Sequence, residues 1–218
     1  MAIQNFLNSN DSILKNAMAQ IFTIGYTAFA KPDDFIAVLK TFDIKCLIDV
    51  RSYPTASEFY AIFSKPTLEA LLKTHKIFYR NYAAEFGARQ ENRAYFMDEG
   101  CLDFKKFTRG GEFLSGAEKL EKALSLGYNV ALMCAEKDPI NCHRNIMIAR
   151  ALSLQGLGIN HILADGSLQT QAQMDERLLK FYHLNEASLF QSKDELIDEA
   201  YTRKNIEIAY RGREEEAI

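Results

Sequence analysis

The sequence predicts a three-layer α/β fold: a mostly parallel central sheet, helices on both of its faces, and a C-terminal helical arm. Three observations predict it. Short apolar runs recur along the chain, helical patterns lie between most of them, and polar, titratable residues gather just after each run. Five runs read as strands: "IFTIG" at 21–25, "CLIDV" at 46–50, "IFY" at 77–79, "VALMC" at 130–134 and "NHIL" at 160–163. "CLIDV" and "VALMC" are nearly continuous in apolar residues, as central parallel strands covered on both faces must be.

The intervening segments read as helices for local reasons. In "PDDFIAVLKTF", Pro32 suits a first helical turn, Asp33 and Asp34 complement the dipole there, and Phe35, Leu39 and Phe42 share a face. "SKPTLEALLKTH" offers Ser64 as a cap and repeats Leu68, Leu71 and Leu72. "EFLSGAEKLEKALSLG" aligns Phe113, Ala117, Leu120 and Leu124 before Gly127 stops it. Strands alternating with helices require crossover connections, and therefore a parallel sheet. Residues 80–111, with Gly87, Gly100, Gly110 and Gly111, are too long for a simple connection, so they form either a functional loop or short helices of their own. After "HILADGS" comes a helix "QAQMDERLLKFYHL". The organisation read from this is an extension over 1–20, an α/β domain over 21–184 and a charged helical arm over 185–218. In the arm Leu196, Ile197, Ala200 and Tyr201, then Ile206, Ile208 and Tyr210, need a surface to cover, either on their own domain or on a twin subunit of a homodimer.

Composition narrows the classes. With 218 residues and 48% apolar content, the chain can build a substantial core. No run of about 18 apolar residues exists, and the first residues lack the basic start and apolar stretch of a signal peptide, so a cytoplasmic protein with no membrane partner is expected. Four scattered cysteines fit free thiols in a reducing compartment better than a disulfide framework. A net charge of −3 and a pI near 5.9 give no global attraction to nucleic acid. Locally, residues 73–109 carry eight Lys/Arg against five Asp/Glu, interleaved with Tyr79, Tyr82, Phe86, Tyr95 and Phe96. That is either a surface for phosphates and bases or an ordinary solvated face.

In open parallel sheets the carboxyl ends of the strands form the ligand crevice. The residues placed there are Gly25 and Tyr26 after the first strand, Asp49 and Arg51 after the second, and Tyr82 to Arg89 after the third. After the fourth come Cys134, Glu136, Cys142, His143 and Arg144, and after the fifth Asp165 and Gly166. Cys142 near a helix N-terminus, beside His143 and Arg144, is a candidate for a lowered pKa and for nucleophilic or redox chemistry. Cys134, ending an apolar strand, is expected to be the slower thiol. Cys46 and Cys101 are isolated and carry no signal. Glu85 and Glu136 are candidate acid/base groups where burial raises their pKa. Arg51 and Arg144 are expected to converge on an anion, although Asp49 can instead simply pair with Arg51. His161, within the last strand, reads as a satisfied core histidine. Cys134, Cys142 and His143 are soft ligands, but C-x7-C-H is not a common zinc spacing, and adjacent side chains at a helix start diverge by about 100°. No metal and no cofactor are therefore expected.

The segments "TIGYT", "LIDVRS", "FGARQ", "LMCAE", "CHRN" and "HILADGS", in this order and spacing from about Ile21 to Leu184, resemble the family named domain of unknown function 488. The resemblance implies a fold and a site at the strand ends, but no particular reaction. Tyr26 stands where many members carry a histidine, and Phe86-Gly87-Ala88 stands where many carry Leu-Gly-Gly. "DVRS" and the order strand, cysteine, loop, arginine, helix also look like rhodaneses and cysteine phosphatases. The Cys-x5-Arg spacing of their anion cradle is not reproduced here. Three readings follow: an enzyme for a nucleotide or nucleic-acid component, with catalytic Cys142, Glu136, Asp49 and His143 and with Arg51, Arg144, Gly25, Tyr26 and Cys134 binding substrate; a thiol-dependent sulfur-transfer or redox enzyme; and a non-catalytic module for an anionic small molecule or nucleic acid.

Overall fold

The computed structural model describes residues 19–184 and 191–212, so the expected N-terminal extension lies outside the described residues except for its last two. Six strands, β1 (Ile21–Gly25), β2 (Ile44–Asp49), β3 (Phe78–Asn81), β4 (Asn129–Cys134), β5 (Ile159–Ile162) and β6 (Leu168–Thr170), form one sheet in the order β3-β2-β4-β1-β5-β6. The first five are parallel, and β6 turns back antiparallel to β5. β2 and β4 are neighbours, with Asp49 opposite Met133, and β1 lies on the other side of β4, with Gly25 opposite Cys134.

The side chains of β1, β2 and β4 alternate between two cores. Ile48, Leu132 and Cys134 face one; Ile24, Leu47 and Met133 face the other. The second core is covered by α1 (Pro32–Thr41), through Phe35, Ile36 and Leu39, and by α2 (Lys65–Thr74), through Leu68 and Leu72. The first core is covered by three helices and an arm. These are α3 (Gly111–Ser125), α4 (π-helical over Arg144–Ala149 and α-helical over Arg150–Leu154), α5 (Gln171–Phe181) and α6 (Lys193–Ile208). The three-layer expectation therefore matches the structure.

Crossover handedness explains which helix takes which face. From β1 to β2 to β3 the chain moves one way across the sheet, and from β3 to β4 to β5 it moves back, so the helices must change sides. β4 departs toward α4 on one face, while both its neighbours depart toward α1 and α2 on the other. The crevice of an open α/β sheet forms where neighbouring connections leave in opposite directions. The carboxyl end of β4 meets this condition against both of its neighbours.

Residues 80–111 form short structure of their own: a one-turn helix at Ala83–Phe86, a 3-10 turn at Arg93–Tyr95 and another one-turn helix at Phe104–Phe107. The arm helix α6 packs on its own domain. Leu196, Ile197, Ala200 and Tyr201 are buried, and the Asn205 amide accepts from Phe104 N and donates to Leu102 O, each at 2.8 Å. No helix among the described residues is long and apolar enough to cross a membrane.

His161, fully buried on β5, contacts Thr23 Oγ1 through Nδ1 at 2.9 Å and Gln171 Oε1 through Nε2 at 3.0 Å. Burial, with Arg144 adding to it, lowers its pKa to about 4 against an ordinary 6.5. The unfolded chain therefore binds this proton between those values while the folded chain does not, so stability falls as pH drops from 6.5 toward 4. The shift corresponds to roughly 3 kcal/mol at most. Urea denaturation against pH should show this loss, and His161→Gln should flatten most of it; an unchanged slope would place the acid sensitivity elsewhere.

Candidate functional site at the carboxyl end of β4

The chain leaves β4 at Cys134 and is tied down at once. Ala135 O accepts from Thr27 N at 3.2 Å and from Thr27 Oγ1 at 2.6 Å. Glu136 O then passes against Gly25 and accepts from Arg144 Nη1 at 2.6 Å. Gly25 is glycine for this reason: a Cβ there would overlap the Glu136 carbonyl. A 3-10 turn at Pro139–Asn141, capped by Asp138, reverses the chain toward α4.

Cys142 is extended (φ −132, ψ 139), whereas His143 has already entered helical geometry (φ −59, ψ −24). The expected divergence of the two side chains assumed that both sat on a helix. Because Cys142 precedes it, both side chains reach the same point. Asn145 N and Ile146 N bond to Cys142 O, each at 3.0 Å, so Cys142 caps α4, and Arg144 N lies 3.5 Å from its sulfur. The opening of α4 is π-helical, a rare wide turn frequent at functional sites.

Four groups meet. Glu136 Oε2 lies 2.8 Å from Cys134 Sγ and 2.9 Å from Cys142 Sγ; His143 Nδ1 lies 3.6 Å from the first sulfur and 3.9 Å from the second. His143 Nε2 contacts Val50 O at 3.0 Å, and since a carbonyl only accepts, Nε2 carries a proton. Burial and the neighbouring Cys142 push the Cys134 thiol well above its ordinary pKa. Burial also works against ionising Cys142. Its hydrogen bond with Cys134 and the charges of Arg144 and His143 prevail and hold it well below the ordinary value. Burial and the same thiolate raise Glu136.

Above the cluster opens a cleft of ≈ 420 Å³ lined by Tyr26, Arg51, Ser52, Tyr53, Thr55, Ala88, Arg89, Cys134, Ala135, Glu136 and His143. Of the expected site residues, Tyr26, Arg51, Cys134, Glu136 and His143 thus share its wall. Cys142 lies beneath it, 1% exposed. Asp49 is wholly buried and grips Arg51 at both ends, Nε to Oδ1 at 2.8 Å and Nη2 to Oδ2 at 2.6 Å. Arg51 also donates to Phe63 O and Thr55 O, so its donors are engaged inside the protein. Arg144 is buried behind the loop and holds backbone carbonyls. The two arginines therefore sit at different depths instead of converging on one anion. Glu85 pairs with Lys119, and neither lines the cleft. Tyr53, which sequence reasoning did not single out and which directly follows "DVRS", forms the rim with Arg89, which the sequence placed at the crevice as the end of the stretch 82–89 and within "FGARQ". The Arg89 guanidinium lies over the Tyr53 ring at 5.3 Å and over that of Tyr210, beyond α6, at 5.5 Å.

The close approach at Gly25 yields a stability prediction. Gly25→Ala should lower the denaturation midpoint by an amount equivalent to about 1–3 kcal/mol, since the Glu136 backbone must move. Gly111→Ala, where an added Cβ meets nothing within 4 Å, serves as the comparison and should change little. Equal effects at both sites would refute the close-packing account.

No curated protein and no solved structure matches the chain. A family model, described as domain of unknown function DUF488, matches residues 31–151, over half of the chain and including β2 to β4, Cys134, Glu136, Cys142 and His143. The chain belongs to the DUF488 family.

Proposed function

We propose that this chain is an enzyme that takes a nucleotide or nucleic-acid component into the cleft at the end of β4. The cluster of Cys134, Glu136, Cys142 and His143 supplies the reacting group on the cleft floor. One observation carries this reading: the rim holds an exposed aromatic ring, Tyr53, together with an exposed cation, Arg89, that has no ion-pair partner among the described residues, directly over that cluster. An exposed aromatic face stacks on bases, and a guanidinium fork fits a phosphate. Arg51, already engaged with Asp49, shapes a wall instead, and Arg144 holds backbone carbonyls from behind the loop. A lone thiol nucleophile is less favoured, because the thiol with the lowered pKa, Cys142, lies under the floor, while the thiol facing the cleft, Cys134, has the raised one.

Titration with nucleoside 5′-monophosphates and short oligonucleotides, read by calorimetry, should detect binding. Arg89→Ala and Tyr53→Ala should each weaken it about tenfold, the size of one lost stacking or ion contact. Absence of binding, or wild-type affinity in both variants, would remove the nucleotide reading. Turnover of the bound compound separates an enzyme from a binding module.

A second reading, a dithiol redox pair, is favoured by both sulfurs touching the same Glu136 oxygen. Diamide, accepting two electrons and two protons, would then convert Cys134 and Cys142 to a disulfide visible by peptide mass spectrometry. Recovery of both as free thiols after treatment would exclude it.

A further inference from the structure

We propose that Cys134, Cys142, His143 and Glu136 form a tetrahedral transition-metal site, and that its ion is Zn²⁺. The proposal deepens the preceding reading by naming the reacting group. It rests on that reading for what the ion does in the cleft, but not for whether the ion binds.

Geometry comes first. The four donor atoms all lie within 4.8 Å of one another. Tetrahedral zinc with bonds of about 2.3 Å to sulfur and about 2.0–2.1 Å to nitrogen sets each sulfur about 3.6 Å from the imidazole nitrogen. The observed distances from His143 Nδ1 are 3.6 and 3.9 Å. Glu136 Oε2 sits closer to the sulfurs, at 2.8 and 2.9 Å, as a carboxylate does when it accepts from thiol protons. An ion replacing those protons needs the carboxylate to withdraw by roughly 0.7 Å, which side-chain torsions supply.

The donor chemistry agrees. Two thiolates and an imidazole select zinc over the hard cations magnesium and calcium, and a tetrahedral arrangement of sulfur and nitrogen donors suits it. The outer shell is also in place. Val50 O holds the His143 Nε2 proton, so in the neutral ring Nδ1 turns its lone pair toward the sulfurs; this is the tautomer-fixing contact that metal-bound histidines make. The Arg144 backbone N–H reaches Cys142 Sγ at 3.5 Å. The loop carrying Cys134 and Glu136 is anchored by Thr27 and Arg144 independently of any ion, so the site is preformed.

Charge balance points the same way. Arg144 is wholly buried and has no carboxylate partner within ion-pair range among the described residues. With two thiolates, one carboxylate, a dication and Arg144, the region is electrically neutral, whereas the same anions without a dication would leave uncompensated buried charge. Of the four ligands only Glu136 belongs to an exposed residue, and with Cys134 and His143 it faces the cleft. Glu136 is therefore the ligand that water or substrate displaces, and Cys142 the innermost anchor.

Elemental analysis of protein purified without chelators should find about one zinc per chain. Cys134→Ser and Cys142→Ser should each reduce it at least about tenfold, while Cys46→Ser, remote from the cluster, retains it; zinc retained in both cluster variants overturns the proposal. Should the cluster variants fail to fold, Co²⁺ titration of chelator-treated wild-type protein decides. Intense tetrahedral d–d absorption with sulfur-to-cobalt charge transfer supports the site, and its absence at stoichiometric cobalt contradicts it. Zinc bound without nucleotide affinity would defeat the cleft reading alone, and nucleotide affinity without metal would defeat this one alone.

Discussion

The site depends on the buried guanidinium of Arg144. It reaches from the first turn of α4 to Glu136 O at 2.6 Å, at a place where Gly25 allows the carbonyl to approach β1. This contact joins the two halves of the cluster. Cys134 and Glu136 come from the exit of β4, Cys142 and His143 from the entrance of α4, and five residues of turn and loop separate Glu136 from Cys142. A charge-assisted bond in a desolvated setting is worth more than its surface counterpart, and its loss leaves a buried charge without compensation. Arg144 therefore acts on the cluster from behind as a positioning residue, through backbone and field, and stays out of the cleft.

Topology decides where such a site can be. β4 sends its connection to one face while both its neighbours, β1 and β2, send theirs to the other, and the loops past these strand ends line a cleft of ≈ 420 Å³. The Asp49–Arg51 pair belongs to the same logic. It fixes the end of β2 by occupying both carboxylate oxygens, with Tyr79 OH donating to Oδ2 at 2.8 Å, and so builds one rigid wall of the opening. The arm contributes at the rim, where Tyr210 lies beside Arg89.

Strands β1, β2 and β4 and helices α1 to α3 were legible because burial on both faces, or on one, leaves a periodic apolar imprint. β6 left none. Its three residues, Leu168–Thr170, are exposed or half-exposed and pair at an edge, where no apolar run is required. The strand β3 begins at Phe78, one residue later than its apolar run, because Ile77 packs as loop while Arg80 and Asn81 continue the pairing. At the site, the residue types and their gathering at strand ends could be read directly. The depth of each could not: that Cys142 lies under the floor and Arg144 behind the loop follows from a single extended residue ahead of the helix and from a glycine contact 111 positions away, from Gly25 to Glu136. Local spacing carries no trace of either. Tyr53 was overlooked, and Arg89 was legible only as the end of a stretch placed at the crevice, because their pairing at the rim comes from the loops they ride on and not from any pattern around them.

The central claim, that one buried cation holds the two halves of the cluster together, is tested most directly by amide hydrogen exchange in Arg144→Lys. A lysine keeps the charge but cannot span both Glu136 O and Lys137 O with a planar fork. Peptides covering 134–143 should exchange at least about tenfold faster than in the wild type, the equivalent of ~1.4 kcal/mol, while peptides from β1 and β2 remain protected. Wild-type protection of 134–143 in a folded Arg144→Lys protein would contradict the account.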